Sequence, residues 1–511
     1  MLDILMFAGL VVGILSGFPA AFAIAGTAML FALVGAATGE FDLSFLGALG
    51  QRIYGILVNP VLIAIPLFVF MGVVLEKSRI AEELLTAMGR AFGRMPGGLG
   101  ISVVLVGALL AASTGIVGAT VVAMGLIALP AMMKAGYSAS LGAGIVATSG
   151  TLGQIIPPST LLIILSDVMS NAYQQAQFDA GKFTIDTISV GETFAAALLP
   201  GLALVAIYIA YLLVRALIRP ADVPPLTDGG RVSRGELARV VAPPIALILA
   251  VLGSILGGVA TPSEAAAVGA VGAVLMAGAR LGGGRVITVG AVALGALAVL
   301  AAARPIRLQR SDTDAMDLTV AAVATVLLAI GLAALGLALW RLLRRGTLRE
   351  VAGSTMTVTA MIFATIITAS MFSLVFVGLG GETRVEHILE SMPGGATGAL
   401  LFAMGLIFVL GFFLDFVEIS VILLPLVVPA LITMGHDPTW LAVLIAINLQ
   451  TSFLTPPFGF SLFYLRGAAP PEVSTAAIYR GVAPFILLQG AGVALVWFLP
   501  QLATFLPGLF Y

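Results

Sequence analysis

The sequence contains no cysteine, and this absence excludes disulfide bonds, thiolate metal sites and a cysteine nucleophile. The two histidines, His387 and His436, are far apart in the chain and do not indicate a metal cluster. Only 10% of the residues are charged, and the net charge of −1 gives no reason to expect a nucleic-acid partner. The first residues carry no basic segment, so residues 1–16 are interpreted as a retained membrane span rather than a cleaved signal peptide.

Apolar residues dominate the chain instead. They make up 60% of the sequence, and the mean hydropathy is +1.15. A soluble domain of this length could not bury that much apolar surface. Many stretches reach the roughly 20 apolar residues that a helix needs to cross a bilayer. The sequence therefore predicts an all-α polytopic membrane protein.

Two Pro-Pro pairs interrupt long apolar runs at matching positions. Pro157-Pro158 and Pro456-Pro457 lie 299 residues apart (456 − 157), and Gly136 and Gly435 keep the same spacing (435 − 136). One such break could simply be a kinked packing helix. Two breaks in register are typical of the binding site of a transporter that is built from two repeats.

Clusters of basic residues predict the orientation of the spans, because basic loops stay on the inner side of a membrane. The segment 382–390 carries one arginine and three glutamates, whereas its counterpart in the first half is basic. This reversal indicates an inverted repeat, and both termini are then predicted outside. Three clusters are assigned to the inside: Lys77, Arg79, Arg90 and Arg94; Arg215, Arg219, Arg231, Arg234 and Arg239; Arg341, Arg344, Arg345 and Arg349.

The segments 98–134 and 396–434 are apolar but too interrupted by glycine and polar residues to be single spans. If the first one crossed the membrane, Lys134 would lie outside and the second basic cluster would be misplaced. Each segment is therefore predicted to be a re-entrant hairpin, with tips at 113–120 and 411–420. A broken helix follows each hairpin, at 138–170 and at 439–466.

These elements predict a division of the chain into successive units. The interval from Pro262 to Pro429 is half as long again as the matching interval from Pro19 to Pro130, so the second half carries an insertion. The insertion is expected to form two peripheral helices. The predicted units are spans and an arm helix at 1–97, the first hairpin and broken helix at 98–192, spans at 193–279, the inserted pair at 280–340, a span and second arm helix at 341–395, the second hairpin and broken helix at 396–466, and a final span at 467–511.

Hydroxyl and amide side chains surround both breaks. Backbone without internal hydrogen bonds is tolerated in a membrane only where protein or water covers it, and proline pairs free upstream carbonyls. Neutral oxygens of carbonyls and hydroxyls suit sodium, and the N-terminal ends of the resumed helices suit a substrate carboxylate.

Asp415 lies at the second predicted tip within an apolar stretch, and a carboxylate inside a membrane is by default a functional hypothesis. It could instead cap the turn, and Glu418 could cap the resumed helix. Glu264 follows Thr261-Pro262-Ser263, a helix-start pattern, and is interpreted as a cap. Asp167 is expected to be exposed near the outer end of its helix.

Four segments in order resemble one known family. They are GTLGQIIPPSTLLIIL at 150–165, GGVATPSEAAAVGA at 257–270, GFFLDFVEISVILLPLVVP at 411–429 and LQTSFLTPPFGFSLFYLRG at 449–467. They resemble the large membrane subunit, the DctM-like permease, of tripartite ATP-independent periplasmic transporters, over nearly the whole chain except 280–340.

The resemblance implies a sodium-driven importer of organic acids with an elevator-type fold in the bacterial inner membrane. It implies that the units 98–192 and 396–466 are the two halves of a transport domain, and that the spans at 1–97, 193–279 and 341–395 form a scaffold. It implies a small four-helix membrane subunit and a periplasmic substrate-binding protein as partners, and sodium ions in place of any cofactor. The candidate sodium-binding residues are Ser113, Thr114, Gly115, Ser149, Gly150, Gly153, Pro157, Asp415, Asn448, Thr451, Thr455 and Pro456. The candidate substrate-binding residues are Gly118, Thr120, Thr148, Thr151, Ser159, Glu418, Ser420, Gln450 and Ser452.

Three other functions compete with this one. A stand-alone sodium-coupled anion symporter of the same broad architecture stays open, and a neighbouring binding-protein gene would distinguish it. A channel would need a continuous polar path, whereas two offset hairpins favour gating. An intramembrane enzyme would need a catalytic pair inside the spans, and the sequence offers no Ser, His and Asp set or metal cluster there.

Overall fold

The computed structural model describes residues 1–115, 117–182, 185–226, 233–281, 284–304 and 315–511, and residues 111, 113 and 114 by their backbone alone. All regular secondary structure in these residues is helical. Ten of their helices are long and apolar enough to cross a membrane. The prediction of an all-α polytopic membrane protein is confirmed.

The helices are numbered in chain order. Those of the first half and its connection to the second are α1 (Leu2–Leu15), α2 (Ala20–Thr38), α3 (Leu49–Val58), α4 (Ala64–Lys77), α5 (Ile80–Phe92), α6 (Gly98–Thr114), α7 (Val117–Lys134), α8 (Ala139–Thr151), α9 (Thr160–Asp179), α10 (Val190–Ile218) and α11 (Arg234–Leu256).

The helices of the second half are α12 (Pro262–Arg280), α13 (Gly284–Ala303), α14 (Ala315–Arg344), α15 (Thr347–Gly378), α16 (Gly381–Glu390), α17 (Gly395–Leu410), α18 (Phe416–Glu418), α19 (Leu424–Thr433), α20 (Pro438–Leu454), α21 (Phe460–Ala468), α22 (Thr475–Phe498), α23 (Gln501–Thr504) and α24 (Pro507–Phe510). A π-helical turn at Ile419–Leu423 joins α18 to α19. Short 3₁₀ turns lie at Leu43–Ala48, Leu152–Gln154 and Pro220–Asp222.

The backbone repeats with the spacing that separates the two Pro-Pro pairs. Helix α7 runs from Val117 to Lys134, and the continuous segment from α18 to α19 runs from Phe416 to Thr433. Both ends of the two elements are therefore 299 residues apart (416 − 117 and 433 − 134). After each, a glycine adopts a left-handed conformation, Gly136 with φ of 95° and Gly435 with φ of 96°. Glycine favours this conformation because it lacks a Cβ. Ser138 and Asp437 then cap α8 and α20 with their side chains, so both halves stop and restart their helices in the same way.

Helices of each half pack against helices of the other half. The second hairpin helix of the first half, α7, packs against α21, and its counterpart α19 packs against α9. Among the helices that belong to neither a hairpin nor a broken helix, α2 packs against α15 and α12 packs against α4. Each hairpin therefore meets the resumed helix of the other half, which brings both breaks to one region.

The long helices beside the breaks also join this region. Helix α22 packs against α8 and α20, and α10, assigned to the scaffold from the sequence, packs against α20 and α22. A Cβ at Gly144 would collide with the backbone of Gly481, so α8 and α22 approach at backbone distance. Small residues at such crossings are the usual device for close helix packing in membranes.

Two ion pairs tie the arm helices to helices of the other half. On α5, Glu83 contacts Arg280 of α12 at 2.7 Å. On α16, Arg384 binds the buried carboxylate of Asp3 in α1. The acidic partner Asp3 was not singled out in the sequence, because its burial depends on α16 packing near the N-terminus.

The apolar segment between residues 49 and 77 is not one continuous helix. Helix α3 ends at Val58 and α4 begins only at Ala64, whereas α15 runs unbroken at the matching place. The residue before a proline is pushed towards extended backbone, as Asn59 is before Pro60. The Asn59 amide donates to the carboxylate of Asp167 at 2.9 Å. The expectation that Asp167 is exposed is wrong, since its side chain is half-buried and held by this bond.

The inserted helices α13 and α14 pack against each other and against α12, and α14 also contacts α15. Arg304 and Asp317 form an ion pair of 2.7 Å near their ends. Residues 305–314 of the intervening loop lie outside the described residues. The helix start at Glu264 is a capping box, in which Thr261 and Glu264 satisfy each other's backbone groups. Its interpretation as a cap is confirmed.

Candidate functional site

The first break runs from the end of α8 to the start of α9 and is buried throughout. The Ser159 hydroxyl donates to the backbone carbonyl of Gln154 at 3.0 Å. Gly153 and Pro157, both sodium-site candidates, lie in this buried stretch. The hydroxyl after the break thus satisfies a carbonyl that the proline pair leaves without a helical partner.

The second break repeats this bond. The Ser461 hydroxyl donates to the carbonyl of Phe453 at 2.7 Å. Phe453 is the counterpart of Gln154 in the repeat, because each stands three positions before its Pro-Pro pair. These two freed carbonyls accept serine hydroxyls, although the sequence suggested them as open ligands.

The two halves meet at a pair of equivalent residues. The Gln450 side-chain amide of α20 donates to the Thr151 hydroxyl of α8 at 3.3 Å, and the two positions are 299 apart (450 − 151). Both side chains are buried. The last turns of the two interrupted helices therefore face each other at the centre of the repeat.

Buried side-chain atoms without a hydrogen-bond partner lie on the hairpins and on the broken helices that carry this pair. Buried polar groups are normally satisfied, and each unsatisfied one requires an explanation. In the described part of the chain, the atoms of this kind on the hairpins and broken helices are Thr148 Oγ1, Gln154 Nε2 and Oε1, Thr160 Oγ1, Glu418 Oε2, Ser420 Oγ and Gln450 Oε1. Their concentration on these elements marks a site for a polar or charged ligand.

Many hydroxyls of the site donate to their own helix. Ser149 donates to the carbonyl of Ile145 at 2.6 Å, and Thr451 donates to that of Ile447 at 2.8 Å. Ser452 and Thr455 do the same, at 2.8 and 2.7 Å. A hydroxyl that already donates its only hydrogen still has its oxygen lone pairs. These oxygens can therefore only accept hydrogen bonds or ligate a cation.

The amide of Asn448 has a different partner, because its nitrogen donates to the carbonyl of Met404 in the hairpin helix α17 at 2.8 Å. This bond fixes α20 against α17 and leaves the side-chain oxygen of Asn448 as an acceptor.

The first hairpin tip touches the first break. A Cβ at Gly115, where φ is 59°, would lie 3.0 Å from both the backbone nitrogen and the hydroxyl of Thr160. A Cβ at Gly118 would lie 2.9 Å from the ring of Tyr464 in α21, so this glycine packs closely against the ring. Gly150 packs on α7 beneath the tip, and Thr120 is buried. The side chains of Ser113 and Thr114 lie outside the described residues.

The second tip carries two carboxylates. Asp415 caps α18, with Oδ1 accepting from the backbone nitrogen of Phe416 at 2.7 Å. One turn on, Glu418 is only 6% exposed. A buried ionised carboxylate is very costly without a counter-charge. The tip thus has one carboxylate oxygen used by the fold and further oxygens free for a cation.

The two breaks differ in exposure. Whereas the first is buried, Thr455 and Pro456 of the second are half-buried and Pro457 is exposed. The hydroxyl of Tyr479 in α22 donates to the carbonyl of Pro457 at 2.8 Å. The region is therefore reachable from the side of the second break.

Three side chains at the site were not singled out from the sequence, namely Gln154, Thr160 and Tyr464. Gln154 and Thr160 flank the first Pro-Pro pair, so proximity to the motif could have indicated them. Tyr464 could not be found in this way, because it reaches Gly118 only through the packing of α21 against α7.

Two hairpins and two interrupted helices that enclose buried polar groups define a membrane transporter. Comparison with known families agrees: the family described as "Tripartite ATP-independent periplasmic transporter, DctM component" matches residues 6–306 and 313–502. The chain belongs to this family. It is therefore a multi-pass membrane permease, as the resemblance in the sequence implied.

Individual relatives are similar over most of their length. The ectoine TRAP transporter large permease protein TeaC of Halomonas elongata is 26% identical, covering 88% of this chain and 86% of the relative. The C4-dicarboxylate TRAP transporter large permease protein DctM of Rhodobacter capsulatus is 27% identical, covering 88% and 87%. The solved YdaH transporter of Alcanivorax borkumensis shares the fold, with a TM-score of 0.53 at 15% identity, over 89% of this chain and 88% of that one.

Proposed function

We propose that this chain is the permease subunit of a sodium-coupled secondary transporter that imports organic acids. The observation that carries the proposal is the set of unpartnered buried polar atoms on the hairpins and broken helices, which meet at the Thr151 and Gln450 pair. Two relatives are named for ectoine and for C4-dicarboxylates, both of which carry carboxylates.

Sodium fits the donor set better than a proton does. Most oxygens at the breaks belong to hydroxyls and amides that do not titrate, and several hydroxyls have already placed their hydrogens on backbone carbonyls. Such oxygens ligate a hard cation but carry no exchangeable charge. Asp415 and Glu418 supply negative charge at one tip, which offsets the positive charge of a bound ion.

The transport step follows from the repeat. Hairpins and broken helices form a unit that carries substrate and ions, and the outer spans form a scaffold past which this unit moves as an elevator. The inverted arrangement then exposes the site alternately through one break and the other. The chain lies in the inner membrane with both termini in the periplasm.

The proposed partners are a small membrane subunit and a periplasmic substrate-binding protein, since the family is that of a tripartite transporter. The alternative, a stand-alone sodium-coupled symporter, needs neither. The binding protein would deliver the organic acid from the periplasmic side and determine much of the substrate choice.

Omission of the binding protein separates these two functions. The chain and its small subunit are reconstituted in proteoliposomes with an inward sodium gradient, and uptake of a labelled organic acid selected by the cognate binding protein is measured. We expect uptake only when the binding protein is present outside. Equal uptake without it would assign the chain to the stand-alone class.

A further inference from the structure

A cavity of about 400 Å³ opens where the ends of several helices meet, away from the hairpins and breaks. Helices α4 and α12 end there at Lys77 and Arg280, and α5 begins just after Arg79. Arg345 follows the end of the inserted helix α14. Four basic side chains from separate parts of the chain thus line one cavity.

Two of these charges are not balanced nearby. Lys77 lies 3.6 Å from Glu76, and Arg280 lies 2.7 Å from Glu83. In the described ranges, no acidic side chain lies within 4.0 Å of Arg79 or Arg345. The cavity therefore keeps a surplus of positive charge, which attracts an anion.

Helix capping explains part of the cluster only. Basic residues in a last turn stabilise the helix end, and this accounts for Lys77 and Arg280. Arg79 stands at the N-cap of α5, where a positive charge opposes the helix dipole, with a φ of 58° that ordinary residues avoid. No other described residue apart from glycines has a positive φ. Both features disfavour arginine at this place, so its side chain serves a different purpose.

The position of the cavity indicates the kind of anion. It lies at the ends of apolar helices, and apolar side chains of Leu281 and Leu342 share its wall with the basic ones. Lys77 also lines a second cavity of about 610 Å³ along α15, together with Glu350, Ser354, Thr357 and Val358. A basic pocket between spans, with a further cavity along a neighbouring span, suits a lipid with a charged head group and apolar chains.

We propose that the cavity binds a phosphate group, which the head group of an anionic phospholipid supplies. Arg79 and Arg345 contact the phosphate, and the chains follow the side of α15. The predicted orientation places Lys77, Arg79 and Arg345 on the inner side, where anionic lipids concentrate. Because Leu342 and Arg345 lie at the end of α14, the insertion contributes directly to this site.

The test compares lipid binding to the purified full chain and two double variants by native mass spectrometry. The variant Arg79→Gln with Arg345→Gln removes the unbalanced charges. The matched control, Arg90→Gln with Arg94→Gln, removes two exposed charges from the same predicted side without touching the cavity. We expect the first to bind phosphatidylglycerol about tenfold more weakly or worse, and the control to bind as the unmodified chain does. Phosphatidylcholine should bind weakly to all three.

Several outcomes would overturn the proposal. Undiminished phosphatidylglycerol binding by the Arg79 and Arg345 variant is one, and equal binding of phosphatidylcholine is another. Retention of inorganic phosphate without lipid would make a soluble anion the ligand. If the chain is purified together with its small subunit, loss of that subunit from the Arg79 and Arg345 variant alone, with lipid binding unchanged, would indicate an acidic protein segment as the ligand instead. Thermal unfolding checks that the variants fold, and Arg345→Gln alone provides the test if the double variant does not.

Discussion

Replacement of Asp415 by alanine should reduce transport about tenfold or more while the protein stays assembled. The carboxylate lies at the second tip beside the accessible break, where the proposed sodium site would place a cation next to its charge. An interaction with a charged group contributes about 1.5–3 kcal/mol, and about 1.4 kcal/mol corresponds to a factor of ten. Initial uptake rates in proteoliposomes, normalised to folded protein, measure the effect.

The structure also shows a purely structural task for Asp415, since it caps α18 through the nitrogen of Phe416. Asp415→Asn separates the two tasks, because asparagine caps helices as well as aspartate does but carries no charge. We expect Asn and Ala variants to be similarly impaired. An Asn variant with near-normal uptake beside an impaired Ala variant would reduce Asp415 to a cap.

Replacement of Gln450 by methionine should abolish most transport at only a small cost in stability. The amide of Gln450 bonds across the repeat to Thr151, and its oxygen Oε1 has no partner. Methionine has a similar shape, and the lost bond costs about 1 kcal/mol, because the Thr151 hydroxyl keeps its own bond to the carbonyl of Thr148. A ligand that uses the Gln450 oxygen loses it, so uptake should fall about tenfold or more while the unfolding temperature changes little.

Gln489 of α22 provides a matched control. It is also a fully buried glutamine, and its amide lies beside the buried hydroxyl of Tyr208 in α10. It lies on neither a hairpin nor a broken helix. Gln489→Met should therefore leave uptake near that of the unmodified protein. Equal losses from the two substitutions would mean that general core disruption, rather than a ligand at Gln450, explains the effect.

The elements that local chemistry determines could be predicted from the sequence. Gly136 and Gly435 mark the ends of the hairpins because left-handed backbone favours glycine, and the Pro-Pro pairs mark the breaks because proline cannot continue a helix. The capping box at Thr261 and Glu264 was readable for the same reason. Membrane spans follow directly from long apolar runs.

Contacts between distant segments could not be predicted in this way. In the sequence, Asp167 is a polar residue near a helix end, but its carboxylate accepts a hydrogen bond from Asn59, which belongs to a distant part of the chain. The bond between Thr151 and Gln450 needed the repeat spacing together with the actual crossing of α8 and α20. Tyr464 reaches the first tip only through α21, and Arg79 and Arg345 share a cavity only because α14 ends near α5.

The division into transport domain and scaffold, the sodium sites and the elevator motion stay predictions. Helix α10 shows where the division needs a direct test, since its sequence position assigns it to the scaffold but it packs against α20 and α22. Distances between labelled positions on α10 and α12, measured in the presence and absence of sodium, would show with which unit α10 moves.

The central claim is sodium coupling, and uptake driven by one imposed ion gradient at a time tests it most directly. The chain is reconstituted with its partner proteins, and uptake is measured under an inward sodium gradient without a pH gradient, and then under an inward proton gradient without sodium. One charge moved through about 100 mV gains about 2.3 kcal/mol, so the membrane potential is clamped equally in both cases. The donor set at the breaks predicts accumulation with sodium alone and background uptake with protons alone. Full accumulation driven by protons in the absence of sodium would contradict the account.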